Sequence, residues 1–136
     1  LWKKEQRPII LGNLNAKRDW GHAEDFVEGM QLIMNHNKPD DFVLATGIIH
    51  TVKQFLEMTL DYLNIKYYWK DDECFEKDTD VLISTTDTKH FRPAEVDILQ
   101  GDATKAKTEL GWTHKHTAHS LMIDMVEADL KRYYGK

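Results

Sequence analysis

Short apolar runs alternate along this chain with longer segments whose apolar residues recur at helical spacing, and this alternation restricts the fold more than any other feature. Pro8–Leu11, Phe42–Ala45, Ile65–Trp69 and Val81–Ile83 are rich in aliphatic or aromatic side chains, as is typical of buried strands. Strands that alternate with helices favour an α/β fold, here a small mixed α+β lobe with short strands, over a helical bundle.

About four helices are predicted from apolar spacing and capping residues. The first begins near Ala23 and ends before Asn35, and the second follows Thr51, whose side chain forms a capping-box pattern with Gln54. A third, over about 103–110, lies between Asp102 as N-cap and Gly111 as stop, and Thr117 caps the fourth. The inward residues expected on the fourth helix are Leu121, Met122, Met125, Val126 and Leu130.

Length and charge limit the class of protein. The 136 residues suit a single lobe over 1–136, with the acidic stretch Lys70–Asp80 as an exposed loop. A net charge of −5 disfavours a broad nucleic-acid surface, which needs clustered cations, and no apolar run approaches the roughly 20 residues of a membrane span.

The single cysteine and the first residues of the chain predict a cellular setting. Cys74 excludes an internal disulfide framework and fits a reducing, cytoplasmic compartment. The opening LWKKEQRPII lacks the apolar core of a secretory signal. The first residue is Leu rather than Met, so we expect the later part of a longer chain.

Lys17 and Arg18 stand in a turn-rich segment just before the first predicted helix. Free backbone N–H groups and the dipole at a helix start favour anions, and a guanidinium can hold two phosphate oxygens at once. The alternative is a solvated loop in which Asp19 caps the helix or pairs locally. Spacing alone favours the solvated loop.

A second arginine lies in the segment His90-Phe91-Arg92-Pro93-Ala94-Glu95. Pro93 restricts the backbone of Arg92 to extended or turn conformations, and Glu95 can project near it. This pair could bind a phosphate and a ribose diol, since a carboxylate accepts hydrogen bonds from hydroxyls. The alternative is a surface salt bridge between Arg92 and Glu95, which the sequence favours when taken alone.

The run His114, His116 and His119 invites comparison with metal sites. No carboxylate or cysteine ligand stands at a typical spacing from it, so the sequence predicts no metal. There is also no glycine-rich dinucleotide turn, no Walker loop, no nucleophile elbow, and no Tyr four residues before a Lys in a helical context. A complete catalytic set is therefore missing, and no catalytic residue is predicted.

The two arginine segments become informative when they are taken together with their neighbours. LGNLNAKRDWGHAEDFVEGM, DDFVLATG, FRPAEVDILQGDATKAKTELGW and MVEADL closely resemble, in this order, the C-terminal part of the GDP-mannose 4,6-dehydratase family of extended short-chain dehydrogenases/reductases. Departures include Thr88 and His90 before Arg92, and a Lys70–Asp80 loop without the glycines usual in the family.

The resemblance implies a substrate-binding lobe whose NADP-binding Rossmann lobe, with the catalytic Thr/Glu/Tyr/Lys set, is absent from this chain. It implies that Arg18 and Arg92 contact the diphosphate of GDP-mannose and that Glu95 binds the ribose. Asn13 is a further candidate from its place in the loop before Arg18. The implied reaction converts GDP-mannose to GDP-4-keto-6-deoxymannose, a precursor of GDP-fucose, by NADP-mediated internal redox and loss of water.

Two other interpretations stay open at this point. The chain could be a free-standing nucleotide-sugar-binding module, or part of another extended nucleotide-sugar dehydratase or epimerase. Under the favoured interpretation this lobe is inactive alone and positions the sugar, its partners are GDP-mannose and the Rossmann lobe, and the complete enzyme is a homo-oligomer.

Overall fold

The computed structural model describes residues 7–91, 94 and 96–135, and its backbone divides into two compact units. The first unit contains Leu1–Ala16 and Thr51–Asp97, and the second contains Lys17–His50 and Ile98–Lys136. The sequence predicts a single lobe over 1–136. Each unit is described by itself below.

The mixed α/β fold predicted from the sequence is confirmed within these described residues. Their strands in chain order are β1 Ile9–Leu11, β2 Lys17–Asp19, β3 Ile49–Thr51, β4 Tyr67–Lys70, β5 Glu73–Glu76, β6 Leu82–Thr86 and β7 Ile98–Leu99. Their α-helices are α1 Ala23–Met34, α2 Val52–Tyr62 and α3 Ala118–Tyr134. The described residues also form a 3-10 turn at Thr88–His90 and a π-helical turn at Ala106–Leu110. No described helix combines the length and the apolar character that crossing a membrane requires.

The first unit is built on a four-stranded sheet of order β1-β6-β5-β4. β1 runs parallel to β6, and the β4–β5 and β5–β6 pairs are antiparallel. The buried centre of this unit consists of Leu60 from α2, Cys74 from β5 and Ile83 from β6. Leu56, Ile65, Tyr67 and Trp69 pack against these residues.

Helix α2 begins where the capping box predicts. The Thr51 side chain accepts a hydrogen bond from the backbone N–H of Gln54 at 3.0 Å, and the Gln54 side chain accepts one from the backbone N–H of Thr51 at 2.8 Å. The two otherwise unpaired donors of the helix start are thus satisfied reciprocally.

The prediction of an exposed loop over Lys70–Asp80 is wrong. Strand β5 lies inside it and pairs with β4 from Tyr67↔Glu76 to Lys70↔Glu73. The hairpin turns at Asp71, whose φ is +52°, a conformation that Asp tolerates better than most residues. Successive side chains of a strand point to opposite faces, and Cys74 is the completely buried one. This inward side chain stabilises a strand that begins and ends with glutamate.

The second unit contains a three-stranded sheet of order β3-β2-β7, in which β2 and β7 are parallel. The strand predicted over Phe42–Ala45 is wrong, because this segment has no regular secondary structure. Just after it, the backbone N–H groups of Thr46 and Gly47 bond to the Asp19 carboxylate rather than to a neighbouring strand.

In the second unit, the observed ends of the helices agree with the sequence predictions better than the observed buried residues do. The third helix is found as the π-helical turn, with Asp102 Oδ1 accepting from Thr104 N at 2.9 Å and Gly111 as a left-handed C-cap. On α3, Ala118 and Met122 are buried, but Met125 is 54% exposed, so its predicted inward position is wrong.

Gly29 in α1 is required by close packing. A Cβ there would lie 2.9 Å from Trp112 Nε1 and 2.5 Å from Leu44 Cδ1. The leucine can turn away, but the indole is held by a 2.7 Å hydrogen bond from Nε1 to the Asp25 carbonyl oxygen.

Gly29→Ala is therefore expected to destabilise the chain by about 1–3 kcal/mol, the usual cost of overpacking. This cost exceeds the gain of about 0.5–1 kcal/mol that alanine brings to a helix interior. Urea unfolding measures the difference, and Gln31→Ala, at an exposed position of the same helix, is the matched control. Equal or greater stability of Gly29→Ala would contradict the packing argument.

Candidate functional site

Arg18 lies on β2, the middle strand of the three-stranded sheet. It pairs with Leu99 of β7, and β3 lies on the other side of β2. Its Nη1 donates a hydrogen bond to the Lys17 carbonyl oxygen at 2.7 Å, and the side chain is half-buried. The structure therefore has a strand where the sequence predicts a turn, and α1 begins only at Ala23.

Asp19, next to Arg18, accepts three hydrogen bonds from the loop after Ala45. Its Oδ1 accepts from Thr46 N at 3.0 Å and from Thr46 Oγ1 at 2.5 Å, and its Oδ2 accepts from Gly47 N at 2.8 Å. Asp19 is thus neither the helix cap nor a local partner, since the cap of α1 is His22. It ties the strand that carries Arg18 to the loop at Thr46.

An open pocket of about 630 Å³ lies in the same unit. Its lining includes Thr46, Gly47, Gln100, Lys107 and His114. Gln100 Nε2 donates to the Gly47 carbonyl oxygen at 2.6 Å, so this wall is held by hydrogen bonds on both sides of Gly47. Arg18 is not among the lining residues.

Asn13 lies in a turn of the first unit. Its Oδ1 accepts a hydrogen bond from the backbone N–H of Asn15 at 2.9 Å, and its carbonyl oxygen accepts from Ala16 N at 3.3 Å. The side-chain oxygen of Asn13 therefore stabilises the loop in which Asn13 lies, as short polar side chains commonly do in turns.

Arg92, Pro93 and Glu95 lie outside the described residues, so the predicted roles of Arg92 and Glu95 stay predictions. The segment that leads to them is described: Asp87 Oδ1 accepts from Lys89 N at 2.9 Å and caps the 3-10 turn. A Cβ on Gly12 would lie 2.8 Å from the His90 carbonyl oxygen. Gly12 thus lets this turn approach the loop that carries Asn13.

A cluster of titratable side chains that the sequence does not predict lies at the start of α1. We call His22, Asp25, His116 and Asp124 the histidine cluster. The rings of His22 and His116 stack with centroids 4.2 Å apart, and His22 Nε2 lies 3.2 Å from Asp124 Oδ2. Of the run His114, His116 and His119, the cluster contains only His116.

Asp25 is the buried member of the histidine cluster, with 1% of its surface exposed. Its carboxylate accepts from the backbone N–H of His116 at 3.0 Å and lies 3.0 Å from His116 Nδ1. Burial raises the pKa of Asp25, but hydrogen bonds from His116 and from the Lys115 backbone outweigh burial, so the pKa stands below its usual value. Asp25 is therefore a carboxylate at neutral pH.

Two reactive side chains of the first unit are held in their neutral forms. Burial raises the pKa of the Cys74 thiol to about 11, and burial together with Asp61 and Glu57 raises the pKa of Tyr67 to about 12. A nucleophilic cysteine must be a thiolate near neutral pH. Cys74 is consequently a packing residue.

The chain matches known proteins over most of its length. A family model described as GDP-mannose 4,6 dehydratase matches residues 2–125. The GDP-mannose 4,6 dehydratase of Drosophila melanogaster is 42% identical over 135 residues, which cover 96% of this chain and 34% of that protein. The Homo sapiens protein of the same name is 44% identical over 125 residues, covering 89% of this chain and 34% of that protein.

Solved structures share the fold at much lower identity. RMD from Pseudomonas aeruginosa, in complex with NADPH, aligns with a TM-score of 0.73 at 14% identity over 96% of this chain and 39% of that chain. dTDP-glucose 4,6-dehydratase from Bacillus anthracis, in complex with NAD, aligns with a TM-score of 0.71 at 15% identity over 98% of this chain and 37% of that chain. This chain thus spans about a third of the length of the relatives that it matches.

Proposed function

Because the chain belongs to the GDP-mannose 4,6-dehydratase family, we propose that it is the substrate-binding part of a lyase that converts GDP-mannose to GDP-4-keto-6-deoxymannose. The observation that carries this proposal is the family match over residues 2–125. The share of about a third of each relative supports a division of labour, in which this part binds and orients the nucleotide sugar and is inactive alone.

Arg18, Arg92, Glu95 and Asn13 are the residues to which we assign substrate contacts. The two arginines would bind the diphosphate and Glu95 the ribose. For Arg18, the support is a half-buried guanidinium on a strand that Asp19 ties to the loop at Thr46. A cation on a fixed backbone holds an anion with little reorganisation, so binding can bring the sugar into a defined geometry.

NADP is the cofactor that we assign to the complete enzyme, and it would supply hydride transfer. No Tyr/Lys pair in a helical context and no dinucleotide turn occur in the sequence, so the residues that hold NADP would belong to a Rossmann lobe. The part described here would contribute positioning, and the cytoplasm remains the compartment that we expect.

Helix α1 offers a surface for that lobe. Val27, Met30 and Met34 lie at helical spacing and are 52%, 56% and 83% exposed. An exposed apolar stripe of this kind marks a surface that another protein surface covers. We assign this apolar stripe to contact with the Rossmann lobe.

We also expect the complete enzyme to form a homo-oligomer. Light scattering would measure its mass.

A chimera tests the proposal. The N-terminal two thirds of the Drosophila melanogaster relative, joined to this chain, is expected to convert GDP-mannose to a 4-keto product without net consumption of NADP. The 136-residue chain alone is expected to give no product. A chimera that binds NADP but does not bind GDP-mannose by calorimetry would contradict the proposal.

The same measurements separate the other interpretations. A free-standing binding module would bind GDP-mannose equally well with and without the Rossmann lobe. Another nucleotide-sugar enzyme would prefer a UDP- or dTDP-sugar in competition with GDP-mannose.

A further inference from the structure

Three side chains of the histidine cluster bring potential metal ligands together. One ligand atom from each of His22, His116 and Asp124 lies within 4.8 Å of the other two. They come from separate places in the second unit: the N-cap of α1, the segment before α3, and α3 itself. Side chains so distant in sequence meet here only because the fold packs these elements together.

The buried Asp25 orients one of these ligands. His116 Nδ1 lies 3.0 Å from Asp25 Oδ1, a hydrogen-bond distance at which an N–H on Nδ1 donates to the carboxyl oxygen. The other ring nitrogen, Nε2, then has a lone pair to offer. Metal-bound histidines commonly donate their second N–H to a carboxylate in this way, which sets the tautomer and the ring orientation.

We propose that His22, His116 and Asp124 bind one Zn²⁺ ion. Two imidazoles and one carboxylate form a ligand set that zinc favours, whereas Ca²⁺ and Mg²⁺ prefer oxygen ligands throughout. Glu24 Oε2 lies 3.9 Å from His116 Nε2 and is a further carboxylate oxygen near the proposed ion. The Asp124 side chain is 58% exposed, so solvent and ions reach the site.

Binding requires two local adjustments. His22 Nδ1 accepts the N-cap hydrogen bond from Glu24 N at 3.2 Å, and coordination through Nε2 would leave a proton on Nδ1, so this bond must be released. The two rings are inclined by only 24° and must tilt so that both Nε2 lone pairs point at one ion. One long cap bond is a small loss beside three metal–ligand bonds.

The bound ion would join the start of α1 to α3 and to the segment at His116. Asp25 already bonds α1 to the segment at His116, but α3 meets His22 through the His22–Asp124 contact at 3.2 Å, to which the ion would add metal–ligand bonds. Zinc should therefore raise the midpoint of thermal unfolding of the 136-residue chain, and removal of zinc by a chelator should reverse that rise.

Titration calorimetry with ZnCl₂ on the chelator-treated 136-residue chain tests the proposal. We expect one equivalent to bind, and we expect His22→Asn and Asp124→Asn each to lower the affinity at least about tenfold, since even outer-shell changes can do so. Asn is a good N-cap, so His22→Asn keeps the start of α1. His119→Ala, an exposed histidine of the same segment, should leave the affinity unchanged.

Cobalt substitution is a second measurement, which reports the coordination geometry of the bound ion and not its affinity. The parent chain loaded with Co²⁺ should show the intense visible absorption of a tetrahedral site, and His22→Asn should lose it. The proposal is overturned if no saturable single equivalent of zinc binds, if His119→Ala loses as much affinity as His22→Asn, or if the cobalt spectrum persists in His22→Asn.

Discussion

Alanine at Arg18 or at Arg92 is expected to weaken the binding of GDP-mannose by about 2–5 kcal/mol in the chimera described above, with almost no change in NADP affinity. This is the usual cost of removing one partner from a desolvated charge pair, because the remaining charge stays buried without compensation. Calorimetry with GDP-mannose, and separately with NADP, measures both quantities.

The chain offers matched controls for these two variants. Lys17→Ala removes an exposed cation next to Arg18 on the same strand, and Lys89→Ala removes an exposed cation from the turn before Arg92. Exposed charges lie in high dielectric and contribute little, so each control should change the affinity by less than about 1 kcal/mol. If a lysine variant loses as much affinity as its arginine neighbour, a diffuse positive potential binds the diphosphate, and the assignment of Arg18 and Arg92 is wrong.

Local signals in the sequence predicted the elements that local chemistry determines. The capping residues Thr51 and Thr117 stand at the starts of α2 and α3, and Gly111 ends the π-helical turn with a positive φ. Each of these depends on hydrogen bonds or backbone freedom within a few residues, so spacing along the chain carries the information.

The wrong predictions concern segments whose secondary structure depends on residues far away in the sequence. Phe42–Ala45 has the composition of a strand, but the backbone that follows it bonds to the Asp19 carboxylate, 27 residues before Thr46. Strand β5 has the composition of a loop, but pairing with β4 and β6 on both sides and burial of Cys74 stabilise it. Strand propensity mostly reflects packing on a sheet, which no window of a single sequence contains.

The candidate site follows the same division. Arg18 could be selected from sequence because the segment around it resembles that of a known family, whereas the role of Asp19 as an anchor could not, because its three donors belong to the loop at Thr46 and Gly47. His22 and His116 lie 94 positions apart, and their ring stack arises only in the folded unit. Of the four residues of the histidine cluster, His116 is the one that stands in a motif visible in the sequence, the run His114, His116 and His119.

Replacement of the buried Asp25 by alanine is expected to lower the free energy of unfolding at pH 7 by about 2–4 kcal/mol, because hydrogen bonds to a charged acceptor contribute about 1.5–3 kcal/mol each. The backbone N–H and Nδ1 of His116 would lose their acceptor, and the position is almost fully enclosed. Urea unfolding measures the loss, and Glu24→Ala, an exposed carboxylate in the same helical turn, should cost less than about 1 kcal/mol.

The effect of Asp25 should also depend on pH, in a direction that its pKa determines. The folded pKa is below the value of about 3.9 expected for an unfolded chain, so the carboxylate stabilises the fold above that pH, and the stabilisation is lost as the pH falls through the folded pKa. The difference in stability between the parent and Asp25→Asn should therefore shrink as the pH falls below about 4. A difference that stays constant down to pH 2 would show that the Asp25 side chain stabilises the fold through its shape and not through its charge.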